Sequence, residues 1–148
     1  MLDATRLQIF RQLSASPERA FQVVYDVERF PDFMPNISAA TVLESTPERR
    51  VVAWEMEIDG APLEWTEEIT YSHAALRTSF RALTGVFDRF DGHWQVSAEG
   101  AGSRVDLLIE YDLGVPEIQE IVGPILKVRL TENLEAMLEN IETRVRGA

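Results

Sequence analysis

The chain has 148 residues, enough for one domain (1–148) with a substantial core. Its 25 acidic residues outweigh 14 basic ones, giving a formal net charge of −11. That balance argues against nucleic acid as a partner and against anionic membrane surfaces, because phosphate binding needs clustered Lys and Arg. Cysteine is absent, which excludes disulfides and thiol catalysis and makes the cytoplasm the expected location. No apolar run is long enough for membrane insertion, and Arg6 and Gln8 interrupt any leader-like pattern in Met1–Phe10. A neutral or weakly polar small molecule, or a basic protein face, fits this composition.

Alternation over Arg6–Leu13 predicts a first strand with mixed faces. Ser16 is placed to cap a helix over Pro17–Val27, and Pro17 loses no hydrogen bond at the first helical position. Glu28–Met34 is expected to add a short second helix, which Pro31 and Pro35 hold as an aromatic elbow. Six strands are predicted next, over Ile37–Glu44, Arg50–Ile58, Leu63–Ser72, Arg77–Leu83, Phe87–Ala98 and Arg104–Leu113. Turn signals at Pro47-Glu48, Asp59-Gly60, Ser72-His73, Thr84-Gly85 and Glu99–Gly102 separate them, as in consecutive antiparallel hairpins. A long closing helix carries one broad apolar stripe from Ile118 through Ile121, Val122, Ile125, Leu126, Val128, Leu130, Leu134, Met137, Leu138 and Ile141 to Val145. Gly123-Pro124 interrupts it, predicting either a kinked helix or a short lid helix before the main one.

This order gives an α+β helix-grip fold: a curved antiparallel seven-stranded sheet around a long C-terminal helix, with two short helices after the first strand. The chain resembles the SRPBCC (START-like) superfamily in its polyketide cyclase and coenzyme Q-binding branch. The resemblance rests on Ser16-Pro17 with Val23–Phe33, on Gly85-Val86-Phe87 with Trp94, and on Ser103-Arg104-Val105-Asp106, and it spans nearly the whole chain. It implies a cavity between sheet and helix for a hydrophobic small molecule such as a polyketide or quinone. The fold is better supported than any one activity, since one fold hosts many.

No phosphate loop or dinucleotide fingerprint is present, and His73 and His93 stand apart in sequence, so no cofactor and no metal is expected. In Leu63–Tyr71 the odd residues form the apolar face, which places Glu67 between Trp65 and Ile69. A carboxyl there is costly unless paired or protonated, and burial raises its pKa toward the range useful for acid–base chemistry. The plain alternative is that Glu67 lies near a strand end or pairs with an arginine of the closing helix. Trp54, Trp65, Ile69, Phe90, Trp94, Phe33 and Met137 are the candidate substrate-binding residues, with Gly92 opening room beside Phe90 and Trp94.

Arg129 and Asn133 stand one helical turn apart, share a face and border Leu126, Leu130 and Met137. The resemblance to aromatase/cyclases, whose helical asparagine in an Arg-x-x-x-Asn setting lines the pocket, implies that both orient or polarise substrate carbonyls. Ile37 and Ile69 occupy the positions where tetracenomycin-type enzymes carry a tyrosine and an arginine, which leaves Glu67 as the odd polar group. Pro35-Asn36-Ile37 likewise departs from the Pro-Trp-Cys-like signature of the coenzyme Q-binding and ribosome-association relatives. The leading expectation is a cofactor-independent polyketide cyclase that promotes aldol closure and loss of water. An acyl carrier protein partner would require a basic patch, for which Arg49-Arg50 or Arg77 with Arg81 are the candidates. The rivals are a non-enzymatic carrier of a quinone or lipid, and an interaction module acting through Val115–Leu126.

Overall fold

The computed structural model describes residues 5–58 and 60–147. Strand β1 (Thr5–Leu13) leads into helix α1 (Pro17–Tyr25), a 3₁₀ turn at Val27–Arg29 and the one-turn helix α2 (Phe30–Phe33). Strands β2 (Ile37–Thr46), β3 (Arg49–Ile58), β4 (Ala61–Ser72), β5 (Arg77–Thr84), β6 (Arg89–Glu99) and β7 (Gly102–Asp112) follow, and helix α3 (Pro116–Gly147) closes the chain. The strands form one antiparallel sheet in the order β1-β7-β6-β5-β4-β3-β2. This is the expected helix-grip architecture.

Local chemistry explains the element boundaries. The Ser16 hydroxyl accepts the Arg19 N–H at 3.2 Å, the capping bond that the sequence predicts, and Pro17 opens α1. Helix α1 ends at Tyr25, two residues earlier than expected, because the chain tightens into the 3₁₀ turn. Phe87 and Asp88 precede β6 rather than opening it. Of the Asp59-Gly60 turn, Asp59 lies outside the described residues, as do Met1–Ala4; Gly60 takes a positive φ of 81°.

Alternation is cleanest in β7, where Ser103, Val105, Leu107, Ile109 and Tyr111 point inward and are buried. They meet Val24, Val27 and Phe30 from the short helices and Leu130, Leu134, Leu138 and Ile141 from α3 in one core. Glu142, near the end of α3, ties the helix to the β1–α1 connection: its carboxylate accepts the Ser14 hydroxyl at 2.9 Å and the Ser14 N–H at 3.2 Å. Arg146 adds an ion pair with it at 3.2 Å.

Two expectations for α3 change. Helical structure runs without a break through Gly123-Pro124, so no separate lid helix forms. Pro124 and Glu120 both lie on the exposed side, where solvent can serve the carbonyl that proline leaves unpaired. The single apolar stripe also divides. Leu130, Leu134 and Leu138 face the core, whereas Ile118, Ile121, Val122, Ile125 and Val128 are exposed. A helix of 32 residues spans about 48 Å, and the exposed apolar residues all lie in its N-terminal half.

Gly92 has a different role from the one expected. A Cβ there would lie 1.8 Å from the carbonyl oxygen of Leu108 on the neighbouring strand. The glycine therefore permits close backbone approach between β6 and β7 rather than enlarging the space beside the aromatic rings. Gly92→Ala is expected to destabilise the protein by about 2 kcal/mol or more, checked by urea unfolding; an unchanged midpoint would count against this account.

Candidate functional site

The concave face of the sheet, α1, α2 and the middle of α3 enclose a cavity with about 750 Å³ of atom-free space counted to its open mouth. Its wall is almost entirely apolar, with Trp54, Trp65, Phe80, Phe90 and Trp94 supplying most of the aromatic surface. The polar side chains in the wall are Glu67, Tyr71, Thr78 and Asn133. No lysine or arginine is among the lining residues.

Glu67 has the most developed setting. Trp65 stands two residues earlier on the same face of β4, and the β3–β4 register sets Trp54 opposite Trp65 and Val52 opposite Glu67. The two indoles stack with centroids 6.0 Å apart and planes 18° from parallel. Both turn their N–H groups to the carboxyl: Trp54 Nε1 donates to Oε2 at 3.0 Å and Trp65 Nε1 to Oε1 at 3.3 Å. Glu67 is 6 % exposed, and no arginine pairs with it among the described residues.

The two donors stabilise the carboxylate, each by about 1.5–3 kcal/mol as a hydrogen bond to a charged group. Stripping a lone carboxylate of water costs more. Burial therefore wins and pushes Glu67 up from 4.5 to about 7, with the indole hydrogen bonds pulling the other way. Near neutrality such a group takes and returns a proton with equal ease. Trp54→Phe, which deletes the shorter hydrogen bond, is expected to raise the Glu67 midpoint by about one further unit. A carboxyl-carbon NMR titration reads this directly, and a downward or absent shift would contradict it.

Asn133 points from α3 into the cavity, buried and without a hydrogen bond among the described residues. Ile69 and Met137 also line the wall. Arg129 does not. Four residues turn an α-helix through about 400°, which leaves neighbours one turn apart offset by about 40°; that offset takes Arg129 to the surface. There it is half exposed and pairs with Glu132 at 3.6 Å. Phe33 also lies outside the cavity. Phe30 occupies the inward position of α2, while Phe33 packs against it at 5.8 Å and lies 5.3 Å from the Arg144 guanidinium.

Three of the four arginines in the candidate basic patches for a carrier protein are engaged within the fold. Glu68 pairs with Arg49 at 2.7 Å and with Arg81 at 2.9 Å, and the two arginines hold its carboxyl below the usual range. Arg50 is buried against Tyr25. His73 bonds the Pro47 carbonyl at 2.8 Å among the rings of Phe21, Tyr25 and Tyr71, away from His93. No cluster of three or more His, Asp or Glu residues suited to a metal ion occurs among the described residues. Among them too, no helix is long and apolar enough to cross a membrane.

Residues 13–138 match the family model described as polyketide cyclase/dehydrase and lipid transport. The chain belongs to this family. The ribosome association toxin RatA of Vibrio cholerae is 26% identical over 123 residues, covering 82% of this chain and 84% of the toxin. Among solved structures, TTHA0849 from Thermus thermophilus superposes with a TM-score of 0.90 at 27% identity, covering 97% of this chain and 98% of that one. The Zhui aromatase/cyclase from Streptomyces sp. R1128 gives 0.89 at 16% identity, covering 97% and 94%. At that identity the second likeness speaks for the fold alone.

Sequence reasoning passed over two polar residues of the family cavity. Thr78 was legible from the alternation Thr78, Phe80, Ala82 on β5, and Tyr71 from its place on the odd face of β4.

Proposed function

We propose that this family member is a cofactor-independent cyclase/dehydratase acting on a poly-β-ketone or related oxygenated intermediate held in the cavity. The observation that carries the reading is Glu67, a buried carboxyl poised near neutrality by burial and two indole donors. As a carboxylate it removes a proton from a carbon flanked by two carbonyls. The resulting enolate carbon forms a bond to a second carbonyl carbon, and Glu67 returns its proton to the new alkoxide. Dehydration then takes a second proton from the adjacent carbon as the hydroxyl departs as water. Asn133 can donate its amide N–H to a substrate carbonyl, and the aromatic wall folds the chain so that the reacting carbons meet.

Product profiling of a minimal polyketide synthase, run with and without the protein, tests the reading. Conversion of spontaneous shunt products into one cyclised product supports it. If the protein binds such chains and leaves the product profile unchanged, the carrier reading replaces it.

A second reading rests on the exposed Ile118, Ile121 and Ile125 of α3, an apolar surface of the kind that docks on another macromolecule. The name of the Vibrio relative makes the ribosome the partner to try. Co-sedimentation with purified ribosomes, abolished by Ile118→Ser with Ile121→Ser, would favour it, and free passage of the unmodified protein would remove it.

A further inference from the structure

The proposed acid–base chemistry occupies one region of the cavity, and a second group of polar side chains lies further along the sheet. After Glu67 the inward residues of β4 are Ile69 and Tyr71. The register sets Tyr71 opposite Thr78 of β5, and Thr78 opposite Trp94 of β6, so the three form one row across the wall. Four residues of extended strand separate that row from Glu67, about 13 Å.

Thr78 is 3 % exposed, lines the cavity and makes no side-chain hydrogen bond among the described residues. Tyr71 lines it as well; its hydroxyl is buried and makes no direct hydrogen bond, although the Arg50 guanidinium is close enough to act on it against the effect of burial. Beside Tyr71 lies Arg50, 9 % exposed, its guanidinium 4.0 Å from the Tyr25 ring centroid and 5.4 Å from that of Tyr71. One of its terminal nitrogens donates to the Tyr25 carbonyl at 2.9 Å, and its Nε is buried without a partner. Buried polar groups are normally satisfied, so hydroxyls without a direct hydrogen bond on two cross-strand neighbours call for an explanation. A ligand oxygen that completes them supplies one.

We infer that Thr78 and Tyr71 form a second oxygen-binding subsite, so that the cavity selects an elongated, uncharged ring system or polyketone bearing an oxygen function at each end. The inference rests on the proposed reading that the cavity holds such a ligand, with the first oxygen at Glu67. With hydrogen bonds of about 3 Å directed anywhere from along the strand to perpendicular to it, the ligand oxygens stand roughly 7–13 Å apart, a range that includes three linearly fused six-membered rings with an oxygen at each end. Carboxylate and phosphate headgroups fit less well, because the wall offers no cation of its own and Arg50, which is not a lining residue, is bonded to the Tyr25 carbonyl.

Calorimetric titration at pH 6 with 2,6-dihydroxyanthraquinone, 2-hydroxyanthraquinone and palmitate tests the subsite. The two-ended probe is expected to bind about tenfold more tightly than the one-ended probe, the equivalent of about 1.4 kcal/mol, and palmitate more weakly than either. Thr78→Val, nearly identical in shape, should erase the tenfold preference and leave affinity for 2-hydroxyanthraquinone unchanged, which also shows that the variant is folded. Tyr71→Phe should lower the preference in the same sense. A preference that survives Thr78→Val, tighter binding of palmitate, or failure of both anthraquinones to bind would each overturn the inference. If the preference and its loss are observed while product profiles never change, the subsite stands and the cyclase reading falls.

Discussion

Glu67→Gln should lower the rate of cyclisation by about a hundredfold or more while changing ligand affinity by less than about threefold. Glutamine keeps the volume of the side chain and can still accept one of the two indole hydrogen bonds, so the cavity keeps its shape. What it loses is the ability to carry a proton between a carbon and an alkoxide. On the proposed cyclase reading, proton abstraction in the unmodified protein uses the carboxylate, so the rate of a reaction limited by that step should rise with pH and level off above about 7, where burial places the Glu67 midpoint. The alkoxide-quenching step uses the acid and should show the opposite slope. Single-turnover product profiles across pH 5–9 read both. Full activity in the glutamine variant would remove Glu67 from the chemistry, and a flat pH profile would deny it the proton-transfer role. A protein that binds the chain equally well in both forms, with no product shift in either, would be a carrier.

Much of the cavity wall is legible in the sequence alone. Strict alternation in Leu63–Tyr71 put Glu67 on the apolar face with Trp65 and Ile69, and the same period placed Trp54 and Trp94 inward. Period-two patterns transmit facing directly, because each residue step flips the side chain. Helices transmit it less directly. The notion that Arg129 and Asn133 share a face holds to within about 40°, and that offset separates a cavity amide from a surface ion pair. The hydrogen bonds to Glu67 were not legible, because they depend on the β3–β4 register that brings Trp54 across to Trp65. Gly92 shows the same limit: the approach of the Leu108 carbonyl depends on the pairing of β6 with β7, which no local pattern encodes. Nor did composition reveal that the apolar residues of α3 divide between core and solvent, since that depends on tertiary packing.

Glu67 should also make the protein less stable as pH rises through the neutral range. Its carboxyl titrates at about 7 in the folded chain and near 4.5 when the chain is unfolded and solvated. Between those values the folded state binds more protons than the unfolded state, so unfolding releases protons and stability falls with increasing pH. The contribution is fully present below about pH 4.5, declines through the window and is lost above about pH 7. Integrated over the shift it amounts to roughly 3 kcal/mol. Other groups titrate in the same range, but Glu67→Gln removes this slope and leaves theirs, so the difference between the two proteins isolates it. At pH 4.5 the glutamine variant should be the less stable, because its amide N–H₂ faces one of the indole donors. By pH 8 that gap should narrow by roughly 3 kcal/mol, and where the donor clash costs less than this, the order reverses. Urea unfolding of both proteins at several pH values measures the difference. Curves that stay parallel would mean that the carboxyl is solvated in the folded protein, in contradiction to the dry, two-indole setting on which its chemistry depends.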